Sequence, residues 1–146
     1  MEAPVLQPLE LTEGDFGIFE KRLQGVMAAY SSEDLAALRG IATPEMVGYF
    51  AEDIAENARK GVIDVSKDVK LVKGDLAESW REGQDEYATV AMRFSMINTI
   101  SERGTGKILE GHATVPHEAT EIWTFLRQPG GQSNGEWLLS AIQQTA

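Results

Sequence analysis

The spacing of apolar residues changes once along this chain, and that change limits the fold more than any other feature. From Glu13 to Tyr30, the residues Phe16, Phe19, Leu23, Val26, Met27 and Tyr30 recur at steps of three and four. That is one stripe of an amphipathic helix. Ser31 to Asp34 offers a cap for a short second helix carrying Leu35, Leu38 and Ile41, with Gly40 as its stop. Thr43 can cap a third helix in which Pro44 takes the first turn, where its missing N–H costs nothing. Met46, Val47, Phe50, Ile54 and Ala58 follow at helical steps, and Gly61 closes the run after Arg59 and Lys60.

Beyond Gly61 the period becomes two. Val69, Leu71, Leu76 and Trp80 lead to a turn at Glu82–Asp85, with a bulge expected at Gly74-Asp75. From Tyr87 to Ile100 the chain alternates, with Val90, Met92, Phe94 and Met96 on one face and Thr89, Ala91, Arg93 and Ser95 on the other. Arg103–Lys107 reads as a turn, and Glu118–Arg127 as a strand with Glu121, Trp123 and Phe125 on one side. A loop over 129–135 leads to a last strand at Glu136–Gln143. Helices first, then strands joined by hairpins, is the order of an α+β domain with an antiparallel sheet. The expectation is one domain over residues 13–146, preceded by a flexible leader or linker remnant at 1–12.

Charge and composition exclude several functions. The chain has 146 residues, 42% of them apolar, so a substantial core is within reach. It has no cysteine, which removes disulfides, thiolate metal sites and a cysteine nucleophile. Its 23 acids against 13 bases give a net charge of −10, which argues against nucleic acid as a partner. The start has no basic segment followed by an apolar run, and no apolar stretch approaches the ~20 residues of a membrane span.

Several short motifs are similar to one known family. They are Ala28-Ala29-Tyr30-Ser31, Leu38-Arg39, Thr43-Pro44-Glu45-Met46, Asp75-Leu76-Ala77-Glu78 with Trp80, the strand Thr120–Arg127, and Trp137–Gln144. Together they resemble the Tim44-like domain family, the C-terminal domain of the mitochondrial inner-membrane translocase motor scaffold, in its alphaproteobacterial form. The likeness runs from about Phe16 to the end. It implies a nuclear-transport-factor-two-like or cystatin-like cone, in which N-terminal helices pack on a curved antiparallel sheet around an apolar pocket. It implies an inner-membrane-associated scaffold that meets lipid and protein partners, with no cofactor and no metal. Bacterial relatives commonly carry an N-terminal hydrophobic anchor, and the expectation is that this sequence is the soluble domain alone. The first helix also departs from a basic membrane-docking face, since it holds Glu13, Asp15 and Glu20 against Lys21 and Arg22.

The residues expected to line a pocket for a lipid, an acyl chain or a partner segment are Met46, Phe50, Val90, Met92, Phe94, Met96 and Trp123. Methionine suits such adaptable space. Phe16, Phe19 and Leu23 are the candidates for a partner or membrane surface, including a homodimer contact. The alternative function is a small-molecule isomerase or hydratase. Its base would be Glu121, Glu78 or Asp75, with Tyr87 or Tyr49 as donor. For Glu121 the simpler expectation is an ion pair with Arg93 or Arg127. His112 and His117 read as exposed loop residues. Gly104-Thr105-Gly106-Lys107 lacks the full phosphate-loop pattern.

Overall fold

The computed structural model describes residues 6–131 and 135–145. The order is β1 (Leu6–Pro8), α1 (Glu13–Ser31), α2 (Leu35–Arg39), α3 (Pro44–Arg59), β2 (Val62–Glu82), β3 (Asp85–Glu102), β4 (Ile108–Gly111), β5 (His117–Arg127) and β6 (Leu138–Gln144). Of the leader expected at 1–12, residues 1–5 lie outside the described set, as do residues 132–134 of the last hairpin loop. Leu6, Gln7 and Pro8 pair with Glu82, Arg81 and Trp80, and Leu9 and Leu11 pack against the core.

The helix ends form where the side chains dictate. Thr12 and Asp15 build a reciprocal capping box that satisfies two otherwise free N–H groups of α1. Asp34 caps α2 by accepting from the Ala37 N–H, and Thr43 caps α3 by accepting from the Met46 N–H. Gly61 then takes φ +74°, a conformation glycine adopts without a Cβ penalty, and turns the chain into the sheet.

The six strands form one antiparallel sheet in the order β1-β2-β3-β5-β6, and β4 pairs the end of β3 beyond the stretch taken by β5. β2 runs seven residues earlier than the alternation at Val69 suggests, because Val62–Lys67 pairs with Ile97–Glu102 despite having no clean apolar period. Register shifts fall at Lys67/Lys70, Leu71/Lys73 and Leu76/Glu78, on both sides of Gly74 rather than at it. Each such bulge bends the strand and increases its twist, which curves the sheet around the helices.

The concave face of the sheet carries the core. Ala88, Val90, Met92 and Phe94 of β3, with Trp123 and Phe125 of β5 and Leu139 of β6, meet Phe19, Leu23 and Val26 of α1 and Leu38 of α2. Phe19 stacks on Phe125 at 4.5 Å and meets Trp137 edge-on at 5.2 Å. The opposite face holds cross-strand pairs such as Trp80 stacked on Tyr87 and Thr89 bonded to Thr124. The segment before α3 docks on β6: the Thr43 N–H donates to the Leu139 carbonyl, and the Leu139 N–H donates to the Ile41 carbonyl.

Candidate functional site

Two ends of the concave face differ. At the end under the start of α1, Glu86 is 5% exposed and is the one charged residue counted among the buried described residues. Arg81 and Arg127 donate to its two oxygens, and Arg127 also reaches Asp15 at 3.1 Å. The Trp137 indole N–H donates to the same Asp15 oxygen at 3.1 Å. Burial works against the charge on Glu86, but the Arg81 and Arg127 guanidiniums outweigh it and hold the carboxyl below its ordinary value. For Asp15, too, burial is overcome, here by the Thr12 N–H, the Trp137 indole and Arg127. This end is a closed ionic plug with its donors and acceptors matched.

At the other end the face opens into a cavity of about 960 Å³. The last turn of α1 reaches this end, where Ser31 bonds Ser66 opposite Asn98, and the space lies between α1, α3 and the sheet. The cavity is floored by Met27, Met46, Phe50, Phe94, Met96 and Trp123, all apolar. Its walls come from α1, α3, the first residues of β2 and the edge strand β6.

Polar side chains line the rest of the cavity, and several of them are held by hydrogen bonds. Asn98 Nδ2 donates to Asp64 Oδ1 at 2.7 Å and to the Val65 carbonyl at 3.1 Å. Ser31 Oγ, at the end of α1, accepts from the Ser66 N–H at 2.8 Å and so ties the helix to β2 beside the opening. Glu121 accepts the Trp123 indole N–H at 2.9 Å, and Tyr49 donates to Glu45 at 3.1 Å.

Five of the seven residues chosen from sequence as pocket lining are found there: Met46, Phe50, Phe94, Met96 and Trp123. Val90 and Met92 are not. α1 packs over that part of the alternating strand, whereas Phe94 and Trp123, just as deeply buried, border the cavity. The surface set is also corrected. Phe16 is 40% exposed, but Phe19 and Leu23 are 2% and 0% exposed. The stripe that looked open at its start is covered by Phe125 and Trp137, which approach from strands far away in the sequence.

The candidates for catalysis separate. Glu78 and Asp75 are exposed on β2, where Asp75 pairs with Lys73 at 3.6 Å, and Tyr87 lies on the opposite face against Trp80. Glu121 and Tyr49 do line the cavity. The expected ion pair of Glu121 with Arg93 or Arg127 is absent among the described contacts: Arg93 pairs with Glu118, and Arg127 with Asp15 and Glu86. His112 and His117 are both exposed. Sequence reasoning missed Asp64 and Ser66, because no period marks Val62–Lys67 as strand, and Asn98, whose partners Asp64 and Ser66 lie on that strand. It also missed the plug of Glu86, Arg81, Arg127 and Asp15, whose members are brought together only by the fold.

An α+β cone of this kind, with helices packed inside a curved antiparallel sheet and a cavity at one end, is a nuclear-transport-factor-two-like fold. The chain belongs to the Tim44-like domain family, whose model matches residues 11–144. That family consists of scaffold and binding domains associated with membranes. Among solved structures, the intermembrane space region of the chloroplast protein ARC6 superimposes with a TM-score of 0.58 at 11% identity. The match covers 94% of this chain and 100% of that one, and the likeness is one of fold. No curated protein sequence matches. Among the described residues no helix is long and apolar enough to cross a membrane.

Proposed function

We propose that this domain is a non-catalytic binding module of an inner-membrane protein-transport scaffold. Its cavity receives an apolar guest, either an acyl chain or an apolar segment of a partner protein. The observation that carries this reading is the 960 Å³ cavity floored by Met27, Met46, Phe50, Phe94, Met96 and Trp123. Its size falls within the range of ~300–1,000 Å³ typical of small-ligand sites, and such sites are mostly apolar with a few placed polar groups. Membership of the Tim44-like family supports the scaffold setting.

A catalytic reading has less behind it. Of the three acids considered as bases, Glu121 alone lines the cavity, and its hydrogen-bond partner is an indole N–H. A general base also needs a second group placed to handle the proton or the developing charge.

Native mass spectrometry of gently purified protein, with melting curves in the presence of long-chain alcohols and acyl lipids, tests the binding reading. A retained guest and a concentration-dependent rise in Tm are expected, since a ligand that binds only the folded state stabilises it by mass action. Gln144→Trp, opposite Glu121 on the concave face at the exposed edge of β6, should weaken that rise with little effect on the unliganded melt. No retained guest and no shift with any acyl compound would end the reading.

A further inference from the structure

The charge around the cavity narrows the chemistry of its guest, a step that rests on the apolar-guest reading above. Glu45, Asp53, Asp64 and Glu121 line the opening, and among the described residues no Lys, Arg or His does. They are placed by three separate elements. Glu45, Tyr49 and Asp53 run at i, i+4 and i+8 down one face of α3. Asp64 stands at the start of β2, and Glu121 on the concave side of β5.

Their charge is left uncompensated. The recorded donors to these acids are neutral: the Tyr49 hydroxyl, the Asn98 amide and the Trp123 indole. None of the four makes an ion pair among the described residues, while Asp15, Glu33, Glu56, Asp75, Glu86, Glu118 and Glu136 all do. The field is felt inside. The Tyr30 hydroxyl is pushed up first by its burial, then by the charges of Asp64 and Asp53.

We infer that the cavity accepts an amphiphile whose polar end is a cation, such as a long-chain amine or quaternary ammonium, and rejects the matching anion. The tail would lie on the methionine and aromatic floor, and the head among the four carboxylates. Tyr30 and Tyr49 add ring faces of the kind that attract ammonium groups. A fatty-acid carboxylate or an anionic lipid head would meet four like charges with no base to receive it. The shape favours a small amphiphile over a docked helix. A helix is about 10–12 Å across and needs a groove open at both ends, whereas this floor stops at Met92 in the filled core.

The test uses three twelve-carbon probes below their micelle concentrations: dodecyltrimethylammonium, dodecanol and dodecanoate. Binding is followed by calorimetry at physiological salt. The expected order is cation, then alcohol, then anion, with the cation about tenfold tighter than the alcohol. In D53N/D64N/E121Q the cation and the alcohol should bind alike, with alcohol affinity kept. In E13Q/E20Q/E110Q, which removes equal charge away from the cavity, the preference should remain. Circular dichroism checks that both variants fold. Equal binding of all three probes, or tighter binding of the anion, overturns the inference and leaves the apolar-guest reading standing. So does a preference that disappears in the distant-charge variant and survives in the rim variant, since overall charge then explains it. No binding of any probe overturns the inference and the acyl-chain form of the reading, and a basic amphipathic peptide binding one to one in that case would leave only its partner-segment form.

Discussion

The guanidinium of Arg127 lies 4.3 Å from the centroid of the Trp137 ring, while its own N–H groups hold Asp15 and Glu86. One side chain from β5 thus joins α1, β3 and the start of β6 at the closed end of the cone. Arg127→Ala would remove two ion pairs and a cation–π contact and leave Glu86 buried beside Arg81 alone. A loss of roughly 2–4 kcal/mol is expected. Urea unfolding should show a lower midpoint with an unchanged slope. A loss below about 0.5 kcal/mol would mean the plug is ornamental to stability.

The same cluster sets an acid limit. The Glu86 and Asp15 carboxyls are held below their ordinary values in the folded protein, so the folded state binds fewer protons than the unfolded chain in the acid range. Their contribution is complete above the ordinary carboxylate range. It fades as pH falls through that range and through the lowered folded values. Urea midpoints measured from pH 7 down to pH 3 should therefore drop on the acid side. Glu86→Gln should be less stable at neutral pH and show a shallower acid decline. Parallel curves for the two proteins would contradict this account.

Phe16 and Phe19 are three residues apart and touch edge to face at 6.0 Å, yet they should behave differently. Phe19→Ala removes a fully packed ring between Phe125 and Trp137 and should cost about 3–5 kcal/mol. Phe16→Ala removes a half-exposed ring outside the packed core and should cost about 1 kcal/mol. Melting temperatures of the two variants decide the matter, and similar losses would mean that the buried placement of Phe19 is wrong.

Gly111 ends β4 with φ +81°, and a Cβ there would run into the backbone carbonyl of Asn98. Gly61 has φ +74° with open space around it. Gly61→Ala should cost only the left-handed backbone penalty, about 1–2 kcal/mol. Gly111→Ala should cost more and speed amide exchange in β4 and in the end of β3. Equal effects would show that conformation alone, and not close approach, selects glycine at Gly111.

How far the chain could be read depends on which interactions write themselves into local order. α1 and α3 were legible because one-sided burial imposes a 3.6-residue period, and the start of α3 because Thr43 and Pro44 act on the nearest backbone groups. β3 was legible because one face is buried and the other is not. Val62–Lys67 was not, since both of its faces are half-exposed and no alternation survives there. For the same reason Asp64 was never considered, although it stands at the cavity beside Asn98.

What the residue order decided by itself is the α+β class, the helix ends, the hairpin pattern and five cavity-floor residues, all consequences of local period and capping. The fold alone decided which part of the alternating strand is filled and which is hollow, because that depends on how α1 and α3 pack together on the sheet. It also brought Asp15, Glu86, Arg81, Arg127 and Trp137 together at one end and four unpaired carboxylates at the other. Such groupings join residues up to 122 positions apart, and no local pattern carries information over that distance.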